Sequence, residues 1–422
     1  MKRAGLLLVG LACLALVAVA LLPTQSGLTS GRLAYGVSST NWVLPPTAPV
    51  YDADLVDGSY GWLLLRNCDT PSGGVTTDPA ASPARANPPH QTGGCRYGVA
   101  RSIDGGVSWS SPVKVGRTFS AIDGGAPRHV HFLNRADGFA YGDKGAFVTH
   151  DGGDTWSDVG LPSGMVLSIV GRGSVAWAVS VDCELSLNAP CRVPPPAVWR
   201  SEDGGRTWSQ SHILRPETGY GWAKALSFGD NGLMVWGWNA LDVTNDGGAS
   251  WRSIATPCAA KLSPDTSVIA TVDGREVWSA CNDIVYPPAP NLANADPDVV
   301  LAGMFVSEDG GVTWAEKTKP DPNLLPGGGV GGKGSRHNFP GSFVATGKGT
   351  ALINTWGGLI FASADAGMTW RQVGPTEAEL PMGWGFTSLR FGAPTDVWAL
   401  GGGNMFWASH DRGKTWSRLP NP

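Results

Sequence analysis

The side chains best suited to binding a ligand are arginines and tryptophans spread along the chain. Arginine pairs with carboxylates, and the indole ring of tryptophan stacks on flat partners and cations. We predict that five of these residues form one binding site: Arg66, Arg128, Trp222, Arg336 and Trp384. The alternative interpretation is that the tryptophans pack inside the protein and the arginines are only solvated.

Motifs of known catalytic types are absent from the sequence. The glycine-rich run 327–335 has Gly334 where a phosphate-binding loop needs Ser or Thr. Neither a Gly-x-Ser-x-Gly nucleophile motif nor a His-Glu-x-x-His zinc motif occurs. We therefore predict no cofactor and no metal. A glycoside hydrolase would need a carboxylate pair, for which the candidates are Asp52, Asp54, Glu217, Asp265, Asp298 and Glu379.

A repeated octapeptide predicts the strands and turns that position these residues. The pattern Ser/Thr-x-Asp-x-Gly-x-Ser/Thr-Trp occurs seven times, and we call these segments the octapeptides. Their aspartates lie 43 to 63 residues apart: Asp104, Asp151, Asp203, Asp246, Asp309, Asp365 and Asp411. This spacing is typical of the four-stranded blades of a β-propeller. The sequence therefore predicts an all-β fold, a single seven-bladed β-propeller with four antiparallel strands in each blade.

Each octapeptide predicts a tight turn between the third and fourth strands of its blade. The aspartate can accept hydrogen bonds from backbone N–H groups, and glycine adopts the positive φ that other residues resist. An apolar run upstream of most octapeptides predicts an inner strand. Six of these runs contain an aromatic residue, Trp62, Phe139, Trp177, Trp236, Trp278 or Trp398, and the run of the sixth blade departs with Leu352 and Ile353, with Trp356 nearby.

The octapeptide resembles the Asp-box, or BNR repeat, of sialidases, sortilin-type receptors, two-domain xyloglucanases and photosystem II assembly factor propellers. Residues 130–156 and 389–416 are most similar to the repeat of the photosystem II assembly factors. Sialidases are the more distant resemblance, because their Arg-Ile-Pro element is absent here. The resemblance implies a single ring that binds a protein partner without catalysis. It also implies that the seven octapeptide aspartates are structural.

The N-terminal residues predict export. Lys2 and Arg3 precede an uncharged apolar run, residues 4–22, which suits a signal peptide and is also long enough for an uncleaved anchor. We divide the chain into a signal or anchor segment at 1–27, a lead-in at 28–50 that includes a possible ring-closing strand, and the propeller at 51–422. The net charge of −4 offers no electrostatic case for nucleic acid.

Six cysteines remain besides Cys13 within the apolar run, an even number that predicts disulfides in an exported chain. The blade assignment places all six on one face, together with the Pro-, Gly- and Asn-rich insertions 69–94, 184–190, 282–300 and 316–341. We expect three local bridges: Cys68–Cys95, Cys183–Cys191 and Cys258–Cys281. A zinc site is the alternative, but no Cys-x-x-Cys spacing or paired histidines accompany them.

These observations predict a non-catalytic binding or assembly module, a monomer that is secreted or held at the extracytoplasmic face of the membrane. Its expected partner is an extracytoplasmic protein or a carbohydrate, bound on the face with the insertions and disulfides. The alternative is a secreted glycoside hydrolase, either sialidase-like or acting on β-glucans.

Overall fold

Seven antiparallel sheets, each formed from strands consecutive in the sequence, make up the fold. The computed structural model describes residues 48–68, 94–117, 119–120, 127–142, 145–161, 164–182, 195–215, 223–237, 240–258, 268–285, 298–319, 340–355, 359–374, 386–392, 395–401 and 405–420. These ranges contain strands and turns but no α-helix. Accordingly, no helix in them is long and apolar enough to cross a membrane.

The first four blades lie between residues 50 and 255. Blade 1 contains β1 (Val50–Leu55), β2 (Gly61–Cys68), β3 (Gly94–Ser102), β4 (Val113–Lys114) and the additional short strand β5 (Phe119–Ser120). Blade 2 contains β6 (Pro127–Phe132), β7 (Gly138–Gly142), β8 (Gly145–Thr149) and β9 (Ser157–Asp158). Blade 3 contains β10 (Met165–Arg172), β11 (Val175–Val181), β12 (Ala197–Ser201) and β13 (Ser209–Ile213). Blade 4 contains β14 (Lys224–Phe228), β15 (Gly232–Trp236), β16 (Ala240–Thr244) and β17 (Arg252–Ala255).

The last three blades complete the ring. Blade 5 contains β18 (Val268–Thr271), β19 (Val277–Val285), β20 (Asp298–Ser307) and β21 (Ala315–Lys317). Blade 6 contains β22 (Pro340–Gly347), β23 (Thr350–Thr355), β24 (Ile360–Ser363) and β25 (Arg371–Val373). Blade 7 contains β26 (Phe386–Phe391), β27 (Val397–Gly401), β28 (Met405–Ser409) and β29 (Ser417–Arg418).

The first strand of each blade is the inner strand that lines the central channel. Each inner strand contacts the inner strand of the next blade, and β1 also contacts β26 of the last blade. The ring is therefore closed, and the predicted seven-bladed propeller with four-stranded antiparallel blades is confirmed. The lead-in 28–47 lies outside the described residues, and its ring-closing strand stays a prediction.

The octapeptides form one recurrent turn. In the third copy, the Ser201 hydroxyl donates to Asp203 Oδ1 at 2.8 Å, and the Thr207 N–H donates to the same oxygen at 2.9 Å. The Thr207 hydroxyl donates to Asp203 Oδ2 at 2.6 Å, and the Gly205 N–H donates to Ser201 Oγ at 2.8 Å. The same four bonds recur in all seven copies. The octapeptides are therefore built as structural turns.

All seven octapeptides lie on the same face of the ring. In every blade the fourth residue of the octapeptide donates its N–H to a carbonyl in the turn between the first two strands, as Gly204 does to Ser174 at 2.9 Å. We call this side the octapeptide face. The opposite side, where β2 ends and β3 begins, is called the loop face.

The tryptophan that ends each octapeptide packs on the preceding blade. Trp208 of blade 3 lies 5.9 Å from Phe139 of blade 2, and Trp109 of blade 1 lies 5.9 Å from Trp398 of blade 7. In the second strand of each blade, one residue packs against the tryptophan of the next blade. It comes directly after the residue that pairs with the first residue of the octapeptide. In blade 4 this residue is Met234 and not Trp236, because Leu233 pairs with Thr244. Trp236 lies in β15, the strand that its apolar run predicts, two residues beyond this packing position.

Two disulfides bridge elements of the loop face. Cys68 and Cys95 are paired neighbours in β2 and β3, and their Sγ atoms are 2.02 Å apart. Cys258, which follows blade 4, is bonded to Cys281 in β19 of blade 5. Cys183 and Cys191 lie outside the described residues. The insertion expected at 282–300 is shorter than predicted, because residues 282–285 pair with 298–301 and extend the hairpin of blade 5.

Candidate functional site

Two of the five predicted binding residues meet on the loop face. The Arg66 guanidinium lies 4.6 Å from the centroid of the Tyr51 ring and makes a hydrogen bond with Tyr97. Arg128 is close enough to act electrostatically on the same Tyr97 hydroxyl. We call these four residues, Tyr51, Arg66, Tyr97 and Arg128, the arginine cluster. Trp222, Arg336 and Trp384 lie outside the described residues, so their part in the site stays a prediction.

Four strands of two blades position the arginine cluster. Arg66 pairs with Tyr97 across β2 and β3, two residues from the paired Cys68 and Cys95. Since side chains two residues apart on a strand share a face, the disulfide lies directly beside the arginine. Tyr97 is 2% exposed, and its burial raises the pKa of its hydroxyl, although the charges of Arg66 and Arg128 act in the opposite direction. The buried neutral phenol thus anchors the cluster.

Two β-bulges, one in β1 and one in β6, present the other two members of the cluster, Tyr51 and Arg128. The register of β1 shifts between Val50 and Asp52, and that of β6 shifts between Pro127 and His129. Tyr51 and Arg128 are the extra residues at these two bulges. A bulge re-aims a side chain relative to the regular alternation of a strand. Both side chains are exposed at the loop face, Tyr51 to 38%.

A second polar group lines the channel directly below the arginine cluster. We call its members, Asp52, Asp54, His129, His131 and Arg390, the channel network. Asp52 Oδ1 accepts a hydrogen bond from Arg390 Nη2 at 2.6 Å, and Asp52 Oδ2 accepts one from the Val130 N–H at 3.1 Å. His129 Nδ1 lies 3.3 Å from the same Oδ2 atom. Blades 7, 1 and 2 are thereby joined at one carboxylate.

Asp54 and His131 form the lower part of the channel network. Asp54 Oδ2 accepts a bond from the Phe132 N–H at 2.6 Å and lies 3.1 Å from His131 Nδ1. His131 Nε2 donates to the Gly171 carbonyl of blade 3 at 3.1 Å. Burial alone would lower the pKa of His131, but the charge and hydrogen bond of Asp54 raise it above its ordinary value. Both ring nitrogens face acceptors, which favours the imidazolium form.

The two carboxylates of the channel network do not have the properties of a glycosidase acid. Burial would raise the pKa of Asp52, but Arg390, His129 and the Val130 N–H hold it below its ordinary value. A general acid needs a raised pKa instead. Asp54 is likewise committed to a backbone donor and a histidine. Of the other candidates, Glu217, Asp265 and Glu379 lie outside the described residues, as does the side chain of Asp298.

The sequence contains a signal for the channel network. Asp52 and Asp54 alternate with apolar residues on one inner strand, as His129 and His131 do on the next. Period-two alternation places each pair on one face of its strand, so facing Asp and His pairs could have been expected. Arg390 had no such signal, because its contact with Asp52 depends on closure of the ring over 338 residues.

The described residues offer no metal centre. No three His, Cys, Asp or Glu side chains among them are grouped so that they could hold an ion. Within the channel network, His131 is paired with Asp54, and His129 shares Asp52 with Arg390. The geometry therefore suits hydrogen bonding and ion pairing.

Comparisons with known proteins identify the fold. No protein-family model matches the chain, and no curated protein does. YCF48 from Cyanidioschyzon merolae matches with a TM-score of 0.50 and 16% identity, over 87% of this chain and 97% of that chain. A polysaccharide lyase of family PL25, an ulvan lyase, matches with a TM-score of 0.50 and 10% identity, over 89% of this chain and 95% of that chain. YCF48 bound to D1 peptide matches with a TM-score of 0.45 and 18% identity, over 70% of this chain and 81% of that chain. The two matches with a TM-score of 0.50 support the propeller fold alone.

Proposed function

We propose that the protein is an exported, non-catalytic binding propeller that captures an acidic segment of a partner protein through the arginine cluster. The observation that carries this proposal is the environment of Arg66. In the described part of the chain its guanidinium lies over the Tyr51 ring and hydrogen-bonds the Tyr97 hydroxyl, with no carboxylate among these partners. A guanidinium has five N–H donors, so most of them are left for the carboxylates of a ligand.

The described side chains favour an acidic polypeptide over a neutral glycan. A sugar would stack on an open aromatic face, but Arg66 covers one face of the Tyr51 ring and Tyr97 is buried. What the cluster offers is two guanidinium groups, on Arg66 and Arg128. Charges at the edge of an interface increase the association rate and the salt dependence of binding.

The lack of catalysis is proposed from the state of the nearest acids. Asp52 and Asp54 are buried to 3% and 7% residual exposure and are both engaged. A secreted glycoside hydrolase remains the alternative function. Export itself is supported by the charged and apolar N-terminal sequence and by the two disulfides, since disulfides persist in oxidising compartments.

The test is capture of an acidic probe by a double variant. We expect Arg66→Ala with Arg128→Ala to weaken binding of a fluorescent pentaglutamate peptide about tenfold, which equals about 1.4 kcal/mol, and to reduce its salt dependence. Fluorescence anisotropy measures the affinity, and a pull-down from the envelope fraction tests natural partners. Arg206→Ala with Arg418→Ala is the matched control, because it removes two charges from the octapeptide face and an outer strand.

Three results would contradict the proposal. Equal loss of affinity in the control pair would show that only the net charge of the protein matters. Hydrolysis of sialosides or β-glucans, abolished by one carboxylate substitution on the loop face, would establish the glycoside hydrolase. Tighter capture of a polyuronate than of the peptide would make the ligand an acidic glycan.

A further inference from the structure

His129 stands where the arginine cluster meets the channel network. It follows the bulge residue Arg128 in β6, and its side chain is 45% exposed. Its Nδ1 atom faces the buried carboxylate of Asp52 at 3.3 Å, while Nε2 has no partner among the described residues. The ring is therefore fixed on its inner side and open on its outer side.

The charges around His129 come from four strands. Asp52 and Asp54 lie on β1, Tyr141 on β7 has its ring centroid 5.3 Å away, and Arg390 lies on β26. Arg128 and His131 share β6 with His129. Burial raises the pKa of the Tyr141 hydroxyl, which donates to the Ile169 carbonyl, so this phenol stays neutral.

The channel network is balanced without a charge on His129. Arg390 is paired with Asp52, and His131 is paired with Asp54. A proton on His129 therefore adds positive charge that no carboxylate of the network is left to match. Histidine is the side chain whose charge changes most readily near neutral pH.

We propose that His129 is a titratable subsite of the arginine cluster, in which Nε2–H of the protonated ring donates to a carboxylate of the captured segment. This inference rests on the proposed function, because it assigns the acidic ligand a second contact beside Arg128. Its consequence is that capture strengthens as the pH falls. The ligand class is unchanged: a carboxylate-bearing segment that reaches from the loop face into the mouth of the channel.

The experiment follows binding of the labelled pentaglutamate peptide to the full chain by anisotropy between pH 6 and pH 8.5, where glutamate stays ionised. We expect the affinity of the wild-type protein to be about three to ten times higher at pH 6, as one charge-assisted hydrogen bond would give. His129→Gln should flatten this dependence. His410→Gln is the matched control: His410 also pairs with an aspartate, Asp396, and is 53% exposed, but it lies on the octapeptide face. It should keep the full dependence.

The failures are distinguishable. No binding of the peptide by the wild-type protein at any pH would overturn the proposed function. Binding whose pH dependence survives in His129→Gln would leave the proposed function intact and overturn the subsite.

Discussion

At the scale of single residues, the fourth position of the octapeptide shows how strictly the turn constrains its sequence. Five copies have glycine there, with φ between 72° and 77°, whereas the last two have Ala366 at 56° and Arg412 at 65°. Left-handed backbone is unfavourable for residues with a Cβ atom. The sixth and seventh blades therefore keep the turn at some cost in stability.

We predict that Ala366→Gly stabilises the protein by about 1 kcal/mol, because it removes the left-handed Cβ. The reciprocal change, Gly310→Ala, should destabilise it, because a Cβ there would lie 3.1 Å from the Gly274 carbonyl oxygen. Urea unfolding of both variants measures the two effects. Effects of the same sign would show that φ does not govern this position.

Single residues of the candidate site also show what could and could not be predicted from the sequence. Arginines and aromatics could be nominated by their chemistry, and Arg66 and Arg128 do lie together. The bulges that present Tyr51 and Arg128 could not be predicted, because they follow from strand register and not from composition. The orientation of His129 by Asp52 likewise requires two inner strands to be placed side by side.

At the scale of strands and turns, the octapeptide fixes both a hairpin and a contact with the preceding blade. Its spacing predicted the number and order of the strands because the turn is nearly identical in every copy. The packing residue of the second strand could not be placed from the apolar run alone, because in blade 4 both Met234 and Trp236 lie in that run. Only the pairing with the octapeptide decides between them.

We predict that Trp278→Ala costs about 3–5 kcal/mol in unfolding free energy, as expected for a buried tryptophan. Trp278 is fully buried, 5.9 Å from Phe343 and 6.1 Å from the octapeptide residue Trp370, both in blade 6. Its indole N–H also donates to Glu276 at 2.9 Å. The comparison variant Trp370→Ala should cost less, because Trp370 is only half-buried. Equal costs in urea unfolding would contradict the larger contribution expected of the fully buried Trp278.

At the scale of the whole molecule, closure of the ring depends on the contact between the first and last blades. Arg390 of blade 7 donates to Asp52 and to the Ala53 carbonyl of blade 1, and Trp398 and Leu419 pack in the same apolar cluster as Leu63. Both blades consist of consecutive strands. Among the described residues the first and last blades share no strand, so side-chain contacts hold the two blades together.

We predict that Arg390→Met lowers the unfolding free energy by about 2–3 kcal/mol near neutral pH, because it leaves the carboxylate of Asp52 buried without its cation. The folded state lowers the pKa of Asp52 below the ordinary 3.8, so this stabilisation is present above pH 3.8 and is lost as the pH falls through the folded value. The difference between the two proteins should therefore shrink in acid. Urea unfolding at several pH values measures it, and a constant difference would contradict the ion-pair explanation.

The close approach of Trp398 to Gly61 has a consequence for folding while the chain is being synthesised. A Cβ on Gly61 would lie 2.0 Å from the indole ring of Trp398, so the second strand of the first blade is shaped to fit a residue made 337 positions later. A chain that emerges from its amino end has the apolar flank of blade 1 uncovered until the final blade follows. Folding during synthesis would thus pass through an intermediate with this apolar surface exposed, and that intermediate ends only when blade 7 has formed.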